Sequence, residues 1–263
     1  MERREFIKST AMGSIGLGAA DLAASSSRTD SAQAATPKIL IAGGGFGTTF
    51  IRYMAELTGK PRPKICYLPT ASASSEVNPT RWYENCAPLD VIPSVQRSFI
   101  ASTRMDQTWE EALLSVDGIV VSGGNTLNQQ VIWKAHGIDE VLRKAWNQGI
   151  VLGGASAGSL CWFEEGTTDS RPIELTKVEC LGLLAGSHSP HYSSEEARRP
   201  DYHRMILSGE LKPGYACDNN AGIYFEGTEV RRVVHTRDDA KVYYVSVQNG
   251  EIVEEELTAE MIE

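Results

Sequence analysis

Residues 149–160 read Gly-Ile-Val-Leu-Gly-Gly-Ala-Ser-Ala-Gly-Ser-Leu, and this stretch is the strongest structural signal in the 263-residue chain. Its apolar first half predicts a buried strand, and the Gly-x-Ser-x-Gly sequence around Ser156 predicts a sharp turn into a helix. Small residues on both sides permit such a turn, which exposes the serine hydroxyl. The helix N-terminus and the next backbone N–H favour a negative charge beside that hydroxyl. The segment therefore predicts a serine nucleophile at the end of a strand.

Strand and helix patterns alternate on both sides of this stretch. Short apolar strands are predicted at residues 38–42, 64–68, 89–95, 118–121 and 150–152, with helical segments between them. Buried strands separated by helices predict a doubly wound, mostly parallel α/β sheet sandwiched by helices. After about residue 215 the pattern changes to antiparallel hairpins, one of which turns at Asn249-Gly250.

The first 34 residues have the composition of a secretory signal. Arg3 and Arg4 precede an uncharged stretch at residues 9–20, and the segment ends in Ala-Gln-Ala. A basic start, an apolar middle and a small-residue cleavage site are typical of such signals, and the paired arginines resemble the twin-arginine type. We therefore expect use of the twin-arginine export machinery, cleavage after Ala34, and a periplasmic or extracellular protein with a single α/β domain over residues 36–263. A cytoplasmic protein with a disordered N-terminal tail is the alternative.

The charge balance of the chain is acidic. The 25 Lys and Arg residues against 34 Asp and Glu residues give a net charge of −9. No Lys/Arg-rich block offers a surface for nucleic acid or for an anionic membrane. No uncharged apolar run reaches the roughly 18 residues that cross a bilayer. We therefore expect neither nucleic acid nor, after processing, a membrane as a partner.

Motifs for metals and cofactors are weak in this sequence. The five cysteines show no CxxC spacing and no pattern that selects a disulfide pair. The Gly-rich run at residues 43–47 lacks the acidic residue about 20 positions further on that a dinucleotide site requires. His188, His191 and His203 lack a fourth zinc ligand and an HExxH pattern. We therefore expect no metal and no cofactor.

A serine nucleophile needs a base and a group that orients the base. His191 directly follows Pro190 in a predicted loop, and the proline stiffens the backbone before the imidazole. Asp169 falls just past the helix that Ser156 is predicted to open, which makes it the candidate acid. The competing acids are Glu164, Glu165 and Glu174.

Several motifs, in the same order along the chain, resemble the dipeptidase E family of serine peptidases. They are the Gly-rich run at 43–47, Gly-Gly-Asn-Thr at 123–126, the serine segment extended to residue 170, and Ser-Pro-His-Tyr at 189–192. That family is related to cyanophycinase and shares its sheet with the class I glutamine amidotransferases. The resemblance covers roughly residues 38–230, and it implies the same α/β fold class.

The resemblance assigns a role to each catalytic candidate. It implies that Ser156 is the nucleophile, His191 the base and Asp169 the acid that fixes the imidazole tautomer. It further implies that the backbone N–H groups of Gly124 and Ala157 form the oxyanion hole. The expected reaction is hydrolysis of a peptide bond through an acyl-enzyme.

The substrates implied by the resemblance are short peptides with an acidic N-terminal residue. A carboxylate near the scissile bond requires a cation beside it, because an unpaired buried charge is costly. Arg198 and Arg199, shortly beyond His191, are the candidate cations, since arginine holds a carboxylate through two parallel hydrogen bonds. Asn125, in the Gly-Gly-Asn-Thr loop, is a further candidate for substrate binding.

The sequence leaves two alternative functions open and excludes two others. A cyanophycinase-like hydrolase of β-aspartyl peptides and a catalytically silent exported binding protein on the same fold remain open. An α/β-hydrolase is excluded, because only 13 residues separate Ser156 from Asp169 and only 22 separate Asp169 from His191. An active glutamine amidotransferase is excluded because it would place a cysteine at position 156.

Overall fold

Two β-sheets form the framework of the computed structural model, which describes residues 35–73, 75–99 and 106–263. The export signal predicted for residues 1–34 lies outside the described residues. The strands are β1 (Lys38–Ala42), β2 (Lys64–Leu68), β3 (Ile92–Val95), β4 (Gly118–Val121), β5 (Val151–Ala155), β6 (Phe163–Thr168), β7 (Thr176–Glu179), β8 (Leu184–Ser189), β9 (Gly214–Cys217), β10 (Ala221–Glu226), β11 (Glu229–His235), β12 (Val242–Gln248), β13 (Glu251–Leu257) and β14 (Glu260–Met261). The helices are α1 (Thr48–Leu57), α2 (Val77–Cys86), α3 (Trp109–Leu114), α4 (Thr126–His136), α5 (Ile138–Asn147), α6 (Ala157–Leu160) and α7 (Arg198–Leu207).

The larger sheet carries the serine segment. Its strands lie in the order β14-β11-β10-β1-β5-β4-β2-β3, and β1, β5, β4, β2 and β3 run parallel. The hairpin of β10 and β11 extends this sheet, with β10 antiparallel to β1. The predicted fold class, a mostly parallel α/β sheet followed by antiparallel hairpins, is confirmed.

Apolar cores cover both faces of the larger sheet, because successive side chains of a strand point to opposite faces. Leu40 of β1 packs in one core with Phe50 and Met54 of α1. Its neighbour Ile39 belongs to the opposite core, which contains Leu142 of α5. Fully burying a side chain of this kind stabilises the fold by about 1.5–3 kcal/mol. These two layers hold the strand ends in place.

The smaller sheet follows Ser156 in the chain and corrects one expectation. We expected a helix from Ser156 to the vicinity of residue 169, but α6 has only 4 residues and β6 begins soon after it. A Cβ atom on Gly166 would lie 2.1 Å from the carbonyl oxygen of His188 in β8. Glycine therefore allows β6 and β8 to pair closely, whereas it would weaken a helix. The strand order is β13-β12-β9-β8-β6-β7, with β6, β8 and β9 parallel.

Helix α7 covers the outer face of the smaller sheet. Tyr202 and Met205 of α7 pack in one buried cluster with Tyr243 and Val245 of β12. The other face of the sheet shares its apolar core with the larger sheet, through residues such as Phe163. The two sheets are therefore packed against each other, and α7 lies on the far side.

The predicted turn at Asn249-Gly250 joins β12 to β13. The φ angles of Asn249 and Gly250 are 52° and 82°, the positive values that a type I′ turn requires at both central positions. Gln248 and Glu251 pair directly on either side of the turn. The hairpin prediction from the Asn-Gly sequence is confirmed.

The cysteines form no disulfide in this structure, because all five are free. Burial raises the pKa of Cys66 to about 11, so this residue is a small apolar group of the core rather than a reactive thiol. Across the described ranges, no helix is both long and apolar enough to cross a bilayer.

Candidate active site

Ser156 sits at a strained turn between β5 and α6. Its backbone has φ 59° and ψ −123°, a conformation that side chains other than glycine rarely adopt. Gly154 and Gly158 make the turn possible. A Cβ atom would lie 2.4 Å from the carbonyl oxygen of Val121 if it were placed on Gly154, and 2.1 Å from it if placed on Gly158. These two glycines of the motif therefore allow the backbone to approach β4 closely. The turn projects the serine side chain out of the sheet.

A cavity of about 530 Å³ opens at Ser156. Its walls are the Gly-rich loop at residues 44–47, one face of α2, the end of β4 with Ser122 and Gly123, and His191. None of the described residues that line it is an Asp or a Glu, and Arg81 of α2 is its one arginine or lysine. A space of this size accommodates a short peptide.

His191 lines the same cavity and is oriented by Asn219. The Nδ1 atom of His191 lies 2.7 Å from Oδ1 of Asn219, so the imidazole N–H donates to the amide oxygen. This bond leaves Nε2 of His191 as the free acceptor on the ring. Among the described residues, no hydrogen bond joins His191 to Ser156. Such bonds are often formed only when substrate is present.

The parallel strands β8 and β9 explain why His191 and Asn219 meet. Ser189 of β8 is paired with Ala216 of β9, so the segments that follow both strands emerge at the same edge. A Cβ atom on Gly44 would lie 2.0 Å from Oδ1 of Asn219 and 2.9 Å from Cε1 of His191. Position 44 therefore leaves no room for a side chain beside this pair.

Asp218 fixes the loop that carries His191. Its Oδ1 accepts the backbone N–H of Ser193 at 2.9 Å, and its Oδ2 accepts that of Lys241 at 3.0 Å. Asn219 was not among the predicted site residues, although an Asp-Asn-Asn run after an apolar segment is a turn signal that marks a strand end. Residues 218–220 therefore carried a sequence signal for a polar turn at the end of a strand.

The structure does not bring Asp169 to His191, which corrects the expected role of this acid. Asp169 follows β6, its side chain is 69% exposed, and its Oδ1 lies 3.7 Å from Nη2 of Arg198. The physical reason is the strand at 163–168, which carries the aspartate to a separate hollow at the β6–β7 turn. Of the competing acids, Glu164 and Glu165 form ion pairs with Lys212 and Lys177, and Glu174 lines that same hollow.

The predicted substrate-binding arginines are also held by partners within the chain. Arg198 is 2% exposed, and its Nε donates to Glu195 at 2.6 Å while its Nη1 donates to the carbonyl of Thr167 at 3.2 Å. Arg199 pairs with the carboxylate of Glu254, and its guanidinium lies 5.4 Å from the ring centre of Tyr192. Neither arginine lines the cavity of Ser156.

Asn125 caps a helix rather than facing the cavity. Its Oδ1 accepts the backbone N–H of Asn128 at 2.8 Å, which caps α4. Its Nδ2 donates to the carbonyl of Ser170 at 3.1 Å and so ties this loop to the β6–β7 connection. Both the oxygen and the nitrogen of the Asn125 amide therefore have hydrogen-bond partners within the chain.

The expected oxyanion donors lie in the two backbone segments around Ser156. Ala157 is the first residue of α6, and the first N–H groups of a helix have no partner within it. Gly123 lines the cavity, and a Cβ atom there would lie 3.6 Å from Oγ of Ser156. Gly124 follows with a φ angle of 133°, and a Cβ atom there would lie 2.2 Å from the carbonyl oxygen of Ala71. The loop thus brings peptide groups close to the serine.

Glu254 anchors the residue that follows the base. The hydroxyl of Tyr192 donates to Glu254, and Nε2 of His203 lies 2.9 Å from the same carboxylate. Burial alone would raise the pKa of Glu254, but hydrogen bonds from Arg199, Tyr192 and His203 lower it overall. Glu254 is therefore held by three side chains of the chain rather than left free on the strand surface.

His188 is a core residue and does not line the cavity. It is fully buried, with Nε2 at 3.0 Å from Oγ of Ser159 and Nδ1 at 3.0 Å from the carbonyl oxygen of Tyr215. Its ring stacks on Phe163 at 4.9 Å between centroids. In the part of the chain that the structure describes, no three His, Cys, Asp or Glu side chains converge as a metal site would require.

A serine on a strained strand-to-helix turn, with a histidine in the same cavity, defines a serine-type hydrolase. Comparison with known proteins gives the family. The chain matches Peptidase family S51 over residues 39–233 and belongs to that family, so it is a peptidase. This membership confirms the resemblance to dipeptidase E-like serine peptidases.

Relatives and solved structures agree with this assignment. An uncharacterized peptidase of Bacillus subtilis (strain 168), YgaJ, is 40% identical over 221 residues, which span 82% of this chain and 94% of that protein. Peptidase E of Shewanella denitrificans is 27% identical over 143 residues, 51% of this chain and 61% of its own length. The crystal structure of a peptidase from an acI-B1 Actinobacterium superposes with a TM-score of 0.68 at 18% identity, over 86% of this chain and 96% of its own. The crystal structure of a protein from Listeria monocytogenes EGD-e assigned as a peptidase E superposes with a TM-score of 0.58 at 17% identity. The match covers 77% of this chain and 100% of that one. The two structures share the fold.

The burial of His188 predicts a pH dependence of stability. Burial lowers the pKa of His188 to about 3, below the value of 6.5 for a free imidazole. The unfolded chain therefore binds the proton first, and the free energy of unfolding falls as the pH drops from about 6.5 towards 3, by up to about 1.4 kcal/mol per pH unit. Urea unfolding at pH 7 and pH 5 measures this slope. His188→Gln should remove that contribution and His136→Gln should retain it; equal slopes in both variants would contradict the prediction.

Proposed function

We propose that the chain is an exopeptidase of the dipeptidase E type, which hydrolyses short peptides with an acidic N-terminal residue. The observation that carries the proposal is the backbone of Ser156, whose positive φ turns its side chain into the cavity that His191 also lines. The absence of Asp and Glu among the described lining residues, in a chain of net charge −9, supports an acidic substrate. A β-aspartyl peptide carries the same charge and is the alternative substrate.

The proposed reaction is acyl transfer. Oγ of Ser156 attacks the peptide carbonyl while Nε2 of His191 removes the hydroxyl proton. The N–H groups of Ala157 and Gly124 stabilise the oxyanion that forms on the carbonyl oxygen. His191 then gives its proton to the leaving amine, and the C–N bond breaks. Water, deprotonated by His191, hydrolyses the acyl-enzyme and releases Ser156.

Asn219 takes the position that we had expected an acid to hold. Its amide oxygen fixes the tautomer and the orientation of His191, as a carboxylate would. A neutral amide adds less electrostatic stabilisation to the protonated imidazole than an ionised carboxylate does. A Cys-His-Asn arrangement in other peptidases shows that an amide is sufficient for this role. We therefore propose Asn219, rather than Asp169, as the positioning residue.

Replacing the nucleophile should abolish turnover without unfolding the protein. We expect Ser156→Ala to lower kcat by about 10⁴–10⁶-fold, as serine removal does in other triad enzymes. Hydrolysis of Asp-X, β-aspartyl and neutral dipeptides measures the effect, with Ser208→Ala as a control outside the cavity and thermal unfolding as a check on the fold. Labelling by a fluorophosphonate should occur on the wild type and disappear in Ser156→Ala. Undiminished hydrolysis by Ser156→Ala would refute the proposal, and a wild type with neither turnover nor labelling would favour a silent binding protein.

The role of Asn219 can be separated from that of Asp169 by paired variants. We expect Asn219→Ala to lower kcat by about 10²-fold or more, within the roughly 10²–10⁴-fold that a general base contributes. Asn219→Asp should restore activity and move the acidic limb of the kcat/KM profile to higher pH, because a carboxylate stabilises the protonated imidazole. Asp169→Ala should leave kcat near that of the wild type. The opposite pattern, with loss only in Asp169→Ala, would return the role to the aspartate.

We also propose export through the segment at residues 1–34, on the basis of its sequence alone. Replacing Arg3 and Arg4 together by lysine should leave unprocessed precursor in the cytoplasm, since the paired arginines act as a receptor-read address. Mass spectrometry of the protein recovered from a host with this machinery gives its N-terminus. A mature protein that begins at Ala35 agrees with the proposal, and one that retains Met1 contradicts it.

A further inference from the structure

One face of α2 forms a wall of the cavity that holds Ser156. Asn78, Arg81, Trp82 and Asn85 line that cavity, and their spacing of three, four and seven residues places them on one side of the helix. Trp82 stacks on Tyr67 of β2 with 5.3 Å between the ring centres, which fixes the helix against the sheet. Three polar side chains are thereby held around one apolar anchor.

Arg81 is the unpaired cation of this wall. Within residues 35–73, 75–99 and 106–263 it forms no ion pair and no hydrogen bond, whereas Arg97 nearby in sequence pairs with Glu76 at 2.7 Å. Burial raises the pKa of Tyr67, and the positive charge of Arg81 opposes that rise. The positive charge of Arg81 therefore acts on Tyr67 of the cavity wall, and Arg81 itself is exposed to solvent.

The other candidate cations near the catalytic loop are already neutralised. Arg198 is held by Glu195 and Asp169, and Arg199 by Glu254. Releasing either one to a substrate would leave a carboxylate of the chain without its partner, at a cost in free energy. Arg81 has no such partner to lose, so its charge is available to a ligand that enters the cavity.

We propose that Arg81 binds a carboxylate of the peptide substrate in the cavity of Ser156. The planar guanidinium can hold a carboxylate through two parallel hydrogen bonds, which a lysine cannot reproduce. A short acidic peptide offers two sources of this group, the side chain of its N-terminal residue and its C-terminus. The inference rests on the proposed function for the identity of the ligand as a peptide, but Arg81 can be tested for binding without turnover.

The kinetic test compares Arg81→Met, Arg81→Lys and the control Arg52→Met. The substrates are three peptides: Asp-X, Asp-X with an amidated C-terminus, and Asn-X. Arg52 is also an exposed helical arginine without a partner among the described residues, and it lines a different hollow. We expect Arg81→Met to lower kcat/KM for Asp-X by roughly 10- to 10³-fold, the range for loss of a charged partner. Arg81→Lys should retain part of the activity, and Arg52→Met should match the wild type.

The three peptides distinguish the source of the carboxylate. If Arg81 binds the N-terminal side chain, Arg81→Met should lower kcat/KM for Asp-X and for its C-terminal amide. The value for Asn-X should then be unchanged. If Arg81 binds the C-terminus, the loss affects Asp-X and Asn-X but not the amide. Equal losses on all three peptides, or none on any, would overturn the proposal.

A binding measurement separates this inference from the proposed function. Calorimetry with Ser156→Ala gives the affinity for intact Asp-X, and the same measurement on Ser156→Ala combined with Arg81→Met should show about 10-fold or weaker binding. If the wild type hydrolyses none of the peptides, the proposed function fails while this comparison still tests Arg81. Equal affinity of the two proteins, or no binding by either, would overturn the role of Arg81.

Discussion

The close approach of backbones at Val121 is the constraint on which the site depends. Gly154 and Gly158 lie so near its carbonyl oxygen that neither position has space for a Cβ atom. The backbone N–H of Ser156 also donates to the carbonyl of Ala42 at 3.3 Å. The main chains of β1, β4 and β5 therefore set the position of Ser156. These backbone contacts hold Ser156 in its strained conformation.

Ser156 and His191, the pair proposed to carry the reaction, come from different sheets. The larger sheet supplies Ser156 from the end of β5, and the smaller sheet supplies His191 from the end of β8. The sheets meet where Gly43 approaches Cys217: a Cβ atom on Gly43 would lie 2.1 Å from its carbonyl oxygen. The distance between Ser156 and His191 is thus a property of sheet packing. A change in that packing alters the reaction without touching either residue.

Local sequence patterns predicted the larger sheet well and the site only in part. β1, β2 and β4 coincide with their predicted ranges, because a continuous apolar run needs no distant partner to be recognised. Asp169 was expected beside His191 because the segment at 163–168 was taken as helical, whereas this segment pairs as a strand with β7 and β8, which follow it in the chain. The arginines failed for a similar reason. Arg199 looks free in the sequence, but its partner Glu254 is 55 residues away. Asn219 is 28 residues from His191, and only the parallel strands bring them together.

The bond between Tyr192 and Glu254 links the active site to the order of protein synthesis. Tyr192 directly follows the base, and Glu254 is made 62 residues later. When β12 has just been synthesised, the serine segment and the His191 loop have been synthesised too, but the carboxylate that holds Tyr192, His203 and Arg199 has not. The loop of the base therefore reaches its final anchorage only after β13 has emerged and paired. The ordering of this loop is in this way coupled to the synthesis of a hairpin that lies 62 residues further along the chain.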